Sequence, residues 1–212
     1  MARSSSAFAR RAGRFRPQPR VLILCEDSKS SLRYIADASR NFRSYALVEV
    51  AHCGRTDPIG IVEEGIRRSR HFESVFCVID EDAHESFQAA LRRARDAGNT
   101  VAVIASYPCY EYWLLLHFRF SRSPIRGVGV QSAGARMAAE LLREEGMQDY
   151  EKGANDGLFE RLLNRLPAAQ VNAERALVAA HAESAMNPST TMHMLLDKLR
   201  ELGQLATLPE PG

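Results

Sequence analysis

Residues 20–29 read RVLILCEDSK and residues 75–82 read VFCVIDED. Each is a short, unbroken apolar run rich in branched side chains that stops abruptly at acids. Runs of this length and composition are expected of strands covered on both faces, as in a parallel sheet. Between and around them the hydrophobic period alternates. Residues 28–42 read as a helix with Leu32, Ile35, Ala36 and Ser39 on one face, and residues 45–52 (YALVEVAH) as a second strand. Thr56-Asp57-Pro58 supplies a cap followed by a first-turn proline, opening a helix to about Phe72. Its early Glu63 and Glu64 and late Arg67, Arg68 and Arg70 suit the helix dipole. The strand at 75–80 then leads to a helix over 84–97 and a strand over 100–106 (TVAVIAS). Strand–helix alternation of this kind predicts an α/β fold: a mainly parallel, four-stranded, Rossmann-like sheet with helices on both faces.

Beyond residue 106 no further strand is expected. Residues 109–118 carry Tyr110, Trp113, Leu114 and His117 at helical core spacing, and a Gly/Pro/Ser/Arg loop follows over 121–129. Helices are expected over 131–145, 156–166, 168–185 and 190–202. The third of these is alanine-rich, and the last has an apolar stripe of Met192, Leu195, Leu196, Leu199 and Leu202. The chain thus divides into a tail (1–19), an α/β core (20–106), a helical C-terminal part packed on it (107–204) and a loose end (205–212). The tail holds Arg3, Arg10, Arg11, Arg14 and Arg16 with no acid, and Arg20 follows. Its serines and prolines argue for disorder, and its charge suits either solubility or contact with nucleic acid.

Composition narrows the class. The 212 residues are 45% hydrophobic and 25% charged with a net charge of +2, the balance of an ordinary globular protein. No apolar run approaches the roughly 20 residues of a bilayer span, and no apolar stretch follows the early arginines, so neither a membrane segment nor a secretory leader is expected. Cys25, Cys53, Cys77 and Cys109 are too widely spaced for a CxxC pair. They read as reduced thiols in a cytoplasmic protein, with neither zinc nor disulfides. Only Lys29, Lys152 and Lys198 among the 28 cationic residues are lysines, a bias with no functional reading.

Ligands of parallel sheets bind beyond the carboxyl ends of the strands. The first strand leads into Glu26 and Asp27, and the third ends at Asp80, followed by Glu81 and Asp82. In an extended segment Asp80 and Asp82 point the same way. If the two strands are neighbours, Glu26, Asp80 and Asp82 converge, and such carboxylates repel unless a cation lies between them. Oxygen-only ligands suit Mg²⁺ or Mn²⁺ and favour phosphoryl transfer or phosphodiester hydrolysis. Capping of the following helices by these same acids is the other reading, and spacing alone leaves both open. Arg55 joins the candidate contacts to a phosphate backbone. No GxSxG elbow, phosphate-binding GxxxxGK[ST] loop or HExxH motif is present. His52 beside Cys53 reads as structural, and Arg67-Arg68-Arg70 and Arg92-Arg93-Arg95 as solvated helix faces.

Four blocks carry a resemblance: ILCEDSK (23–29), VIDEDAH (78–84), YPCYEYWLLLHF (107–118) and NPSTTMHMLLDKL (187–199). In order and spacing they resemble the RloB-like family, over about residues 20–202. The resemblance implies a TOPRIM-type domain, a bacterial source, an ATPase partner encoded nearby, and a place in restriction-modification and phage-defence loci. It implies that Glu26 acts on protons or metal, that Asp80 and Asp82 hold the divalent ion, and that Lys29 contacts a phosphate. Glu111 would be a further acid near the site or the buried anchor of a helix. Tyr150 and Lys152 match a Tyr-x-Lys of the family, Lys152 as a second nucleic-acid contact. Asn187, Ser189 and Thr190 match the closing motif, in a site role or as packing. Two departures stand out: Asp27 replaces the usual glycine after the glutamate, and Ser30-Ser31 replaces a second glutamate. The function expected is a metal-dependent nuclease acting with the ATPase on DNA or RNA. The alternatives are a catalytically silent scaffold for that ATPase and primase-like nucleotidyl transfer. A homo-oligomer is compatible with either.

Overall fold

The computed structural model describes residues 18–45, 47–81, 85–153 and 156–207. The tail before residue 18, the end after 207 and Asp82 lie outside these. Five strands form one sheet: β1 (Val21–Cys25), β2 (Val48–His52), β3 (Ser74–Asp80), β4 (Val101–Tyr107) and β5 (Ser189–Thr190), in the order β2-β1-β3-β4-β5. The first four pair in parallel, as their continuous apolar runs require; β5 pairs antiparallel with β4. The four-stranded expectation is therefore corrected to five. The extra strand is two polar residues long, tied through Ser106↔Thr190 and Tyr107↔Ser189, and leaves no hydrophobic trace in the sequence.

The connections fix which helix lies on which face. α1 (Ser30–Asn41) carries the chain from β1 outward to β2. α2 (Pro58–Arg68) carries it back past β1 to β3, and α3 (Phe87–Asp96) onward to β4. Right-handed crossovers that reverse direction place α1 on one face and α2 with α3 on the other. The side-chain alternation agrees. Val21, Ile23, Cys25, Val78 and Ile104 join the cluster with Tyr34 and Ile35 of α1, whereas Leu22, Leu24, Val75, Cys77 and Ile79 pack with Ile61, Val62 and Phe87. Asp57 caps α2, accepting from the Gly60 N–H at 2.8 Å, with Pro58 in the first turn as expected.

The helical half covers the α1 face. It comprises α4 (Glu111–Leu115), α5 (Ala133–Leu141), α6 (Leu158–Leu162), α7 (Leu166–Ala182) and α8 (Met192–Thr207). The helix expected over 109–118 is much shorter: the His117 N–H turns back to Leu114 O at 3.2 Å and closes it. The helix expected over 131–145 likewise contracts to α5. Trp113, fully buried, meets Tyr34 and His117 edge-on, and its removal would cost on the order of 3–5 kcal/mol. Small buried residues of α7 (Ala169, Ala173, Ala176, Ala180) let its backbone approach this core closely. Among the described residues no helix is long and apolar enough to cross a membrane.

Candidate functional site

The strand order reverses between β1 and β3, since β1 is followed by its neighbour on one side and β3 lies on the other. In open α/β sheets the crevice beyond such a reversal is where ligands bind. Glu26 leaves β1 and Asp80 ends β3 at this place. Cys25 pairs with Val78, and the Glu26 N–H extends the ladder to Val78 O at 3.1 Å. The Glu26 side chain returns across the strands, its Oε2 accepting the Asp80 N–H at 2.9 Å. Asp80 in turn accepts the Tyr110 N–H on Oδ2 at 3.1 Å. These bonds tie the ends of β1 and β3 to the entry of α4.

A cavity of about 100 Å³ opens here, lined by Glu26, Asp27, Ser30, Ser31, Val78, Asp80, Tyr110, Glu111 and Lys152. Glu111 opens α4 and is completely buried. Its Oε1 lies 3.2 Å from the Lys152 ammonium and accepts the Tyr150 hydroxyl at 3.4 Å, while its Oε2 has no hydrogen-bond partner. Gly134, in the first turn of α5, lies over this pair: a Cβ there would be 3.5 Å from Lys152 Nζ and 3.8 Å from Glu111 Oε2.

The electrostatics follow from this packing. Burial, then the negative charge of Glu111 and more weakly that of Glu26, holds the Asp80 carboxyl well above the usual range; the Tyr110 N–H and Lys152 oppose them. Burial works against the Lys152 charge, but Glu111 and Asp80 outweigh it and the ammonium is stabilised. The Cys109 thiol is pushed well up by burial and by the same two acids, so it is inert.

The structure places every site residue singled out from the sequence except Asp82. Glu26, Asp27, Asp80, Glu111 and Lys152 meet at one cavity. Asp82 lies outside the described residues. The capping alternative holds for Asp27, whose carboxylate takes the Lys29 N–H at 2.8 Å, the Ser31 N–H at 3.0 Å and the Ser31 hydroxyl, closing the entry to α1. It fails for Asp80: α3 begins at Phe87, after Ser86, and the Asp80 carboxylate turns to Tyr110 instead. Lys29 is exposed and does not line the cavity; its stem packs where a Cβ on Gly153 would come within 3.0 Å. Gly153 also has φ +87°, so glycine is needed there twice over. Arg55 is exposed on the loop after β2, at the same edge of the sheet but outside the cavity lining.

Asn187 and Ser189 do not line the cavity. The Asn187 amide bonds Ile125 in both directions, accepting its N–H at 3.0 Å and donating to its O at 2.7 Å. Ser189 is buried in β5, and Thr190 meets Ser106 across the strands at 3.0 Å between hydroxyls. The closing motif is therefore a clamp that joins the 121–125 loop and β4 to α8. His52 is structural too, its Nδ1 lying 3.1 Å from Cys25 O. What the sequence did not disclose is the backbone N–H of Tyr110 and the first turn of α5 as parts of the site. A backbone donor has no side-chain signature, and Gly134 lies in an unremarkable helical pattern.

A cavity lined by acids at the topological reversal of a mainly parallel sheet is the candidate site of this α/β protein. The RloB-like protein family model matches residues 21–199, and the chain belongs to that family. No curated protein and no solved structure matches it.

Proposed function

We propose that this chain is a divalent-metal-dependent nuclease that hydrolyses a phosphodiester bond of nucleic acid, and that it works with an ATPase partner in bacterial defence against phage. The observation that carries the reading is the meeting of Glu26 and Asp80, from adjacent strands, with the buried and half-satisfied Glu111. The ATPase partner and the defence role rest on family membership.

The donor set fits Mg²⁺ or Mn²⁺: it is all oxygen, and one carboxyl oxygen is left without a partner. Among the described residues no three Asp, Glu, His or Cys side chains are arranged to hold one ion together. Mg²⁺ keeps several waters and needs only one or two carboxylates, which Asp80 with Asp82 or Glu26 would provide. Bound there, the metal supplies a water of lowered pKa and neutralises charge on the scissile phosphate. Glu26 manages the proton of the attacking water or the leaving oxygen. Asp80 is oriented for its role by the Tyr110 N–H. Lys29, packed beside Gly153, and Arg55, along the same edge of the sheet, steady the phosphate backbone.

A silent scaffold is the second reading, and the Lys152–Glu111 ion pair favours it if that pair is permanent. Cleavage of labelled DNA and bulk RNA with Mg²⁺ or Mn²⁺, with and without the ATPase, separates the two. Metal-dependent products made by the wild type and lost in Asp80→Asn support the nuclease. Equal inactivity of both, with the ATPase present, supports the scaffold.

A further inference from the structure

We propose that Lys152 is a built-in stand-in for the divalent cation: its ammonium holds the positive position on Glu111 until a metal displaces it. The inference rests on the metal-site reading above and concerns how that site is kept ready. A completely buried carboxylate needs a compensating cation, and among the described residues only Lys152 forms an ion pair with Glu111. That ammonium lies closest to Oε1, and Oε2 has no hydrogen-bond partner. A hydrated metal can answer both oxygens where a single ammonium contact answers one.

Lys152 is also placed to leave. Its side chain is 57% exposed and enters the pocket from a surface turn beside Gly153, whereas Glu111 is fixed in the core. The residue type matters as well. A lysine is a point charge on a flexible stem; an arginine would fork onto the carboxylate and be hard to dislodge.

The test is calorimetric titration of the full chain with MgCl₂ and MnCl₂, for wild type, Lys152→Met, Lys152→Arg and Lys29→Met. Removing the competing ammonium is expected to tighten metal binding about fivefold in Lys152→Met, and the arginine to weaken it by about as much. Lys29→Met makes the same change in net charge without touching Glu111, and its affinity is expected to stay within about twofold of wild type. Thermal unfolding in chelator should show Lys152→Met less stable than wild type, with the difference closed by metal. If Lys152→Met fails to fold, Lys152→Gln replaces it. The inference is overturned if neutral residues at 152 bind metal no more tightly than wild type, or if Lys29→Met tightens binding equally. Flat titrations for every variant would instead remove the metal-site reading itself, and this inference with it.

Discussion

The Glu26 carboxylate accepts the backbone N–H of Asp80 at 2.9 Å, so the acid that ends the first strand fixes the acid that ends the third. The two are coupled mechanically as well as by charge. Glu26→Gln retains an acceptor and is expected to fold with near wild-type stability. Glu26→Ala leaves the Asp80 N–H to find another partner and should lose about 1–3 kcal/mol. Both should abolish metal-dependent cleavage. Urea unfolding alongside the cleavage assay separates the structural loss from the chemical one.

Asp27 is tied up in capping α1. Asp27→Ala is expected to lower stability by about 1–2 kcal/mol, read as a lower urea midpoint with an unchanged slope. Metal affinity should change little, since the Asp27 carboxylate is already engaged by Lys29 and Ser31. A large loss of affinity in Asp27→Asn, which keeps an acceptor, would instead make Asp27 a ligand.

Buried His117 gives a pH signature. Its ring lies between the Tyr34 hydroxyl and Trp113 O, both at 3.1 Å, and burial lowers its pKa from 6.5 to about 4, outweighing backbone bonds that favour the charged form. Between those values the unfolded chain takes up a proton that the folded protein refuses. Stability is therefore full above about pH 6.5 and falls as pH drops toward 4, by about 3 kcal/mol in all. Denaturant unfolding from pH 7.5 to 4 should show the fall, and His117→Gln should be less stable at pH 7.5 but lack this contribution to the slope.

Asn187 is expected to behave as a clamp. Asn187→Ala removes both bonds to Ile125 and should cost about 1–3 kcal/mol, while the affinity of the purified, folded variant for Mg²⁺ stays at the wild-type value. Calorimetry on that variant checks the second half of the statement. A lost metal site in a protein of normal fold would return Asn187 to the chemistry.

The fold was legible where burial writes itself into the sequence. VLILC and SVFCVID are apolar on both faces because α1 and the helical half cover one side of the sheet and α2 with α3 the other. The strand order, and with it the convergence of Glu26 and Asp80, needed only the assumption that the first and third strands are neighbours, which they are. Other features left no such mark. β5 is held by the backbone and by the hydroxyls of Ser106 and Thr190, so no periodicity announces it. Acids at strand ends are equally good caps and ligands, and only geometry separates Asp27, which caps the helix that follows its strand, from Asp80, which does not cap α3 but accepts the Tyr110 N–H. Glu111 was visible as an acid in an apolar block, but its pairing spans the 41 positions to Lys152, a separation that no local pattern reaches.

The most direct test of the central claim is to locate the metal. Crystals of the full chain grown with Mn²⁺ and measured at the manganese edge should show an anomalous peak in the cavity lined by Glu26, Asp80 and Glu111, within direct-ligand distance of at least one carboxylate oxygen. The peak should vanish in Asp80→Asn crystals. A cavity without a peak at millimolar Mn²⁺, with Lys152 still on Glu111, would contradict the account and leave the chain a scaffold.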